Sequence, residues 1–302
     1  MEKYDISGED LYCWKQWAER LSRENGIDVS EIDWFLQGMT SLDNFSLRLG
    51  AYRHQRSISS KVSIAVLTKK WHRRVNSHVP VQYLVGETPW RNFSLMVTPD
   101  VLIPRPETEL IVDIAKEIVE QNPIREQLLE GCWADLGTGS GAIAIALAHQ
   151  FPSAIVHAVD ISEKALAIAQ LNAQRNNLIN RIKFHKGHWL TPLSHLKGQL
   201  CAIVSNPPYI PAQTVLTLQP EVAQHEPHLA LDGGADGLDS IRILIEQGVT
   251  YLKSGGIWIT ELMSGQAKAV VSLLSDQSSY THITTHSDLS GIQRFVSARK
   301  AL

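Results

Sequence analysis

The sequence predicts a doubly wound, mostly parallel α/β sheet of seven strands preceded by a small all-α domain. Three observations carry this. After residue 130, short apolar runs alternate with runs of helical length, the βαβα rhythm of a parallel sheet covered on both faces. Before residue 76, apolar residues recur at helical spacing. Between these regions the pattern shifts to alternation and turn residues. The expected organisation is therefore a helical domain over 1–76, a linker with a β-hairpin over 77–100, and the sheet domain over 101–302.

Ser7-Gly8-Glu9-Asp10 reads as a capping box before a first helix. Leu11, Trp14, Trp17, Ala18 and Leu21 share one face of it, and Gly26 ends it. Ile32, Phe35 and Leu36 mark a second helix; Val62, Ile64, Ala65, Leu67 and Trp71 mark a later one. Residues 80–96 alternate and carry turn residues, which predicts the hairpin. Pro104-Arg105-Pro106-Glu107-Thr108-Glu109 opens a further helix, with a proline suited to a first helical position and carboxylates suited to the positive end of the dipole. Its buried stripe is Leu110, Ile111, Ile114, Ala115, Ile118 and Val119. Strands follow at 132–136, 154–159, 181–185, 200–205 and 256–261, with helices at 142–149 and 163–176. Residues 282–286 and 293–298 have no helix between them, so they predict an antiparallel pair at the end of the sheet.

The composition sets limits. There are 28 Lys and Arg against 31 Asp and Glu, a net charge of −3, with 44% hydrophobic and 20% charged residues. That profile excludes a disordered chain, a collagenous chain and a small disulfide scaffold. The lack of basic excess argues against a general nucleic-acid coat. Cys13, Cys132 and Cys201 lie far apart with no CxxC spacing, and the twelve histidines show no HExxH. No metal site is expected, and the cysteines suit a reducing cytoplasm. The opening MEKYDISGED is polar and unlike a signal peptide, and the longest smooth apolar run, 142–148, is far below the ~20 residues of a spanning helix. No membrane partner is expected. Between Asn44 and Gly86 there is no acid but there are eight basic residues, from Arg48 to Arg74. This reads either as a solvated helical face or as a docking face for an acidic partner or RNA.

Asp135-Leu-Gly137-Thr138-Gly139-Ser140-Gly141-Ala142 follows the first strand of the sheet and opens a helix. Glycines serve where a backbone turns sharply and a ligand must approach without a Cβ in the way. The loop fits a dinucleotide fingerprint as well as the GxGxG loop of S-adenosylmethionine enzymes, and in both cases Asp160 would accept hydrogen bonds from ribose hydroxyls. The next signal separates the two. Ser205-Asn206-Pro207-Pro208-Tyr209 follows the strand 200–205, at the carboxyl end where α/β sheets bind ligands. Two prolines stiffen the turn and remove N–H donors, Asn206 adds a side-chain carbonyl and Tyr209 a flat ring. This set suits a planar group bearing NH₂, an amide or a base amine. Such a nitrogen is a poor nucleophile, and acceptors on both its N–H bonds would favour a pyramidal nitrogen aimed at a sulfonium methyl. Positioning and electrostatics would supply most of the rate.

At these residues the chain resembles the class I S-adenosylmethionine-dependent methyltransferases with an (N/D)PP(Y/F) motif. More narrowly it is similar to the bacterial peptide chain release factor N5-glutamine methyltransferases. Four segments support the narrower match: Pro80-Val-Gln-Tyr83-Leu-Val-Gly86, Leu102-Ile-Pro104-Arg105-Pro106-Glu107-Thr-Glu109, Glu226-Pro227 through Gly233-Gly234-Ala-Asp236-Gly237-Leu238, and Asp288-Leu-Ser-Gly291-Ile-Gln-Arg294-Phe295. The resemblance implies that Gly137, Thr138, Gly139, Ser140 and Gly141 wrap the methionine end of S-adenosylmethionine. It implies that Asp160 holds the ribose and that Trp189 lies along the adenine. Asn206 would touch both cofactor and substrate. Asn206, Pro207, Pro208 and Tyr209 would hold the substrate amide, with Asn206, Pro207 and Tyr209 carrying catalysis. The implied substrate is the glutamine of the Gly-Gly-Gln loop in release factors 1 and 2, with the helical domain docking it. Glu261 stands in Thr-Glu-Leu where the family runs nearer Glu-Ile-Gly, so it receives no role. The alternative is an N-methyltransferase acting on adenine N6 or guanine N2, since those amines are also flat NH₂ groups. The acidic balance and the lack of a separate target-recognition domain disfavour it, and no stable nucleic-acid partner is expected. A dinucleotide-dependent oxidoreductase leaves NPPY unexplained, and a non-catalytic relic of the fold leaves the intact loop, Asp160 and NPPY unexplained.

Overall fold

The computed structural model describes residues 4–301. The chain forms two compact units. One comprises the residues up to Glu87 together with Gln219–His225; the other comprises Thr88–Leu218 and the chain from Glu226 onward.

The first unit contains β1 (Tyr4–Ile6), α1 (Gly8–Glu24), α2 (Ser30–Met39), α3 (Asn44–Leu49), β2 (Ile58–Ser60), α4 (Ile64–Ser77) and α5 (Val81–Val85). Ser7 caps α1, its hydroxyl accepting from the Asp10 N–H at 3.0 Å. Trp14, Phe35 and Trp71 form the centre of the core, with ring centroids 5.4–6.3 Å apart. Two expectations need correction. The unit is not all-α, because β1 and β2 pair antiparallel, Tyr4 opposite Ser60; three-residue strands are too short to show a period. Residues 81–85 form a helical turn closed by left-handed Gly86, and the hairpin begins only at Glu87. The later helix marked by Ile64, Ala65, Leu67 and Trp71 is α4, which buries Leu67, Trp71, Arg74 and Val75 while Ala65 faces out.

The basic stretch is also divided. Arg74 is 5% exposed. Its Nε and Nη2 donate to Glu31 at 2.5 and 2.8 Å, and its Nη1 donates to Glu221 at 2.8 Å. Arg53 pairs with Glu9 and Lys61 with Glu87, while Lys70 Nζ donates to the Leu84 carbonyl. The acids come from outside the stretch, so composition within it could not reveal them. Arg48, Arg56, Lys69 and Arg73 are exposed and make no ion pair among the described residues.

The second unit opens with the hairpin β3 (Glu87–Trp90) and β4 (Phe93–Met96). Arg91 at its tip donates to both oxygens of Asp113 at 2.9 Å, and its N–H donates to Glu109 at 2.8 Å. These acids lie at the start of α6 (Leu110–Glu120). The order continues α7 (Arg125–Glu130), β5 (Cys132–Leu136), α8 (Ala142–Gln150), β6 (Ile155–Asp160), α9 (Glu163–Arg175), β7 (Ile182–Lys186), β8 (Leu200–Ser205) and α10 (Ala212–Val215). The chain then passes through α11 (Pro220–His225), which clusters with the first unit, and returns as α12 (Asp239–Tyr251), β9 (Leu252–Glu261), α13 (Ala267–Asp276), β10 (Tyr280–Ser287) and β11 (Gln293–Lys300). Helices α10 to α13 were not expected from the sequence.

The seven-stranded sheet runs β10-β11-β9-β8-β5-β6-β7. All pairs are parallel except β10–β11 and β11–β9. Alternate residues of the central strand enter opposite cores: Trp133 packs with α6 and α8, Ala134 and Leu136 with α12 and α13. The chain leaves β5 toward β6 and β7, then restarts at β8 on the other side. The gap between the carboxyl ends of β5 and β8 is therefore the topological switch point. The register places Leu136 opposite Ser205, so the glycine loop and NPPY emerge side by side.

Candidate active site

At the switch point lies a cavity of about 240 Å³. Gly137, Gly139, Asp160, Trp189, Asn206 and Pro208 line it, with walls from Asp100–Leu102, Ile161–Ser162, Gly187–His188, Pro227, Leu229 and Ala230. The sequence-predicted residues from the ends of β5, β6 and β8 and from the loop after β7 are thus brought together.

The glycine loop is built by its backbone. Gly137, Gly139 and Gly141 have φ of 74°, 53° and 83°, in the left-handed region that favours glycine. A Cβ on Gly139 would meet only open space, whereas one on Gly141 would lie 3.0 Å from Ala169 Cβ. The Gly139 N–H donates to Asp160 Oδ2 at 2.9 Å and the Ser162 N–H to Oδ1 at 2.8 Å. Burial pushes the Asp160 carboxyl upward and these N–H groups oppose the shift. Each Asp160 oxygen retains acceptor capacity beyond its one N–H. Trp189, with φ of 48°, sits over Gly137.

Thr138, Ser140 and Gly141 do not line the cavity. Thr138 and Ser140 are buried. The Thr138 hydroxyl donates to Asp135 Oδ2 at 2.5 Å, and the Ala144 N–H reaches the same oxygen at 3.0 Å. Asp135 is wholly buried with Oδ1 unpartnered, and burial pushes its carboxyl up to about 7. Asn172 was missed from sequence. Its Nδ2 donates to the Ser140 carbonyl at 2.9 Å and to the Met96 carbonyl at 3.0 Å, and its Oδ1 accepts from the Met96 N–H at 2.7 Å. It joins the glycine loop to the hairpin. Its position in an amphipathic helix gave no signal.

On the other side, Asn206 Nδ2 donates to Thr108 Oγ1 at 3.1 Å, and the Tyr209 hydroxyl donates to Glu261 Oε1 at 3.1 Å. Neither Pro207 nor Tyr209 lines the cavity. Burial raises the Tyr209 hydroxyl above its ordinary range, and the adjacent Glu261 carboxylate adds to this. Glu261 is 1% exposed, with Oε2 unpartnered. Burial pushes its carboxyl up to about 7, against the Thr108 and Tyr209 hydroxyls and Arg294, while Glu107 adds to the rise.

The motif backbone is clamped by the segment from Glu226 to Leu238. Ile210 and Asp232 form a parallel bridge, and the Gly233 N–H donates to the Ile210 carbonyl at 2.9 Å. A Cβ at Gly233 would lie 2.8 Å from the Pro208 oxygen, and one at Gly237 would lie 2.2 Å from the Tyr209 oxygen. Gln266 Nε2 donates to the Tyr209 carbonyl at 2.9 Å. Arg105 Nη2 reaches the buried Glu226 at 2.5 Å and pins the cavity wall. Burial raises the Glu226 carboxyl while Arg105 opposes the rise.

The donor set fits S-adenosylmethionine. Asp160 has acceptors for a ribose, Trp189 offers an indole face, and Gly137 and Gly139 let a polar chain approach the backbone. No cluster of His, Cys, Asp or Glu able to hold a metal is present among the described residues. No helix among them is long and apolar enough to cross a membrane.

The chain is similar to known proteins along its whole length. Residues 111–235 match the family "Methyltransferase small domain". A release factor glutamine methyltransferase of a Synechocystis species is 51% identical over 299 residues, covering 99% of both chains. One from Thermosynechococcus vestitus is 45% identical over 97% of this chain and 99% of its own. Among solved structures, the hMettl16 catalytic domain in complex with an RNA hairpin superposes with a TM-score of 0.54 at 15% identity, covering 80% of this chain and 84% of that one. That likeness shows the fold alone.

Proposed function

The chain belongs to the release factor glutamine methyltransferases, and we propose that its substrate is the Gly-Gly-Gln glutamine of release factors 1 and 2, methylated on the side-chain N5 nitrogen in the cytoplasm. S-adenosylmethionine supplies the electrophilic methyl group.

The chain's own residues bind and orient. Asp160 and the turn Gly137–Gly141 fix the donor, and Trp189 and Leu102 give it apolar walls. Asn206 lines the donor cavity and also begins the NPPY turn, so it lies where donor and acceptor meet. Its Nδ2 is committed to Thr108, which leaves Oδ1 to accept an N–H of the incoming amide. An acceptor there, placed out of the amide plane, favours a pyramidal nitrogen whose lone pair is less delocalised into the carbonyl, and the rigid prolines hold the geometry. The observation that carries this reading is Asn206 at the shared edge of cavity and motif, in a chain half identical to a named family member throughout.

The helical unit is the proposed docking domain, over 1–76, with 77–100 as the linker and 101–302 as the methyltransferase domain. Its docking residues are Arg48, Arg56, Lys69 and Arg73. Arg74 drops out, since Glu31 and Glu221 already neutralise it. Labelled S-adenosylmethionine, incubated with the protein and either purified release factor or RNA, tests the whole reading. Label should enter the release factor glutamine, and label in RNA alone would overturn it.

A further inference from the structure

A buried hydroxyl and a buried carboxylate lie side by side next to NPPY, and the hydrogen bond of the first is among the influences that lower the pKa of the second. Thr108 is buried, and its oxygen accepts from Asn206, so its own hydrogen needs an acceptor. Glu261 is buried beside it with Oε2 unpartnered. From these we infer that Glu261 is a positioning residue that sets which way the Asn206 amide faces. The inference rests on the proposed amide chemistry.

The logic runs through hydrogen-bond polarity. An ionised carboxylate only accepts. It therefore orients the Thr108 hydroxyl as a donor toward itself. The Thr108 lone pairs then face Asn206, and only the Nδ2 side of that amide can meet them. Asn206 Oδ1 is left facing the cavity. The other Glu261 oxygen takes the Tyr209 hydroxyl, which fixes the ring in the same turn. One buried carboxylate thus orients both ends of the motif. A group that donates as well as accepts would leave the Asn206 amide free to flip and present NH₂ to a substrate that is itself NH₂.

Glu261 is the last residue of β9, and Thr108 sits in the helical turn before α6. The titratable and charged groups facing Glu261 are Tyr209, Glu107 and Arg294, with Arg294 also bound to Asp288 at 2.6 Å. Burial and Glu107 push the carboxyl up, while the hydroxyls and Arg294 pull it down, to about 7. Raising the pH through that region ionises Glu261, so kcat should rise with pH there.

The test uses the full-length enzyme, release factor and labelled S-adenosylmethionine. Wild-type labelling of the release factor first establishes the amide reaction, so its failure is separate from failure of the inference. Glu261→Gln and Thr108→Val should each lower kcat about tenfold, less than the ~10²–10³ of losing a direct stabilising group, with cofactor affinity held within about twofold. Thr108→Ser should recover most of the Thr108→Val loss. The double variant should be no worse than Thr108→Val alone, because both cut one chain. The rise of kcat near pH 7 should vanish in Glu261→Gln. Wild-type kcat in both single variants, additive losses in the double variant, or a cofactor affinity that falls in step with kcat would each overturn the assignment.

Discussion

The two sides of the site are made of different material. The proposed donor side is mostly backbone: left-handed Gly137 and Gly139, main-chain N–H groups on Asp160, and residues drawn mainly from 135 to 189. The acceptor side is mostly side chain: Asn206, Thr108, Glu261 and Tyr209 come from three separate stretches of chain. A backbone cradle fixes affinity through main-chain shape and one anchoring carboxylate, Asp160. A side-chain network positions one reacting group, and it carries the cost of a buried carboxylate.

The largest effect should come from breaking the acceptor side at its centre. Asn206→Ala removes the acceptor for the reacting amide, and kcat should fall about 10²–10³-fold. Single-turnover assays would show this, and, because Asn206 also lines the donor cavity, calorimetry should find cofactor affinity weakened but far less than kcat. A matching loss of affinity would mean the two sides are not separable.

Asp160→Ala is the converse. Losing charge-assisted hydrogen bonds to a ribose should weaken S-adenosylmethionine by more than about tenfold, roughly 1.5–3 kcal/mol, with the fold intact. Unchanged affinity by calorimetry would remove Asp160 from the donor side.

The cost of the side-chain network can be read from stability. The Glu261 carboxyl is raised to about 7 from 4.5, so the folded state holds its proton more tightly than the unfolded chain. Below about pH 4 both states are protonated and the full stability is present; between about 4 and 7 it declines, and above 7 the loss is complete. Glu261→Gln never ionises and escapes that decline. Its melting temperature should exceed the wild type's at pH 8, and the gap should close toward pH 4. A Gln variant melting lower at pH 8 would show the ionised carboxylate to be stabilising.

The smallest effect belongs to the exposed charges of the first unit. Lys69→Glu with Arg73→Glu should slow association with whole release factor and lower kcat/KM a few-fold at low salt, fading as salt rises. Cofactor affinity should not move. Wild-type kcat/KM at low salt would leave these residues as a solvated helical face.

What could be read before the structure follows the same divide. The strands 132–136 and 200–205 match β5 and β8 to the residue, because buried parallel strands are continuous apolar runs with sharp ends. The helices α12 and α13 went unread although Ile241, Leu244, Ile245 and Gly248 on one, and Ala267, Val270 and Leu274 on the other, recur at helical spacing. Arg74 shows the limit for charge: its partners Glu31 and Glu221 lie 43 and 147 residues away.

The sequence alone determined the sheet, the glycine turn, Asp160 and NPPY, because each is a local pattern whose physics acts within a few residues. Only the tertiary structure decided what Glu261, Thr108 and Asn172 do. Each meets its partner across a long stretch of chain, and which donor faces which acceptor depends on where folding places them. Thr138 and Ser140 make the same point in reverse: the pattern put them in the donor loop, and the fold turned their side chains inward.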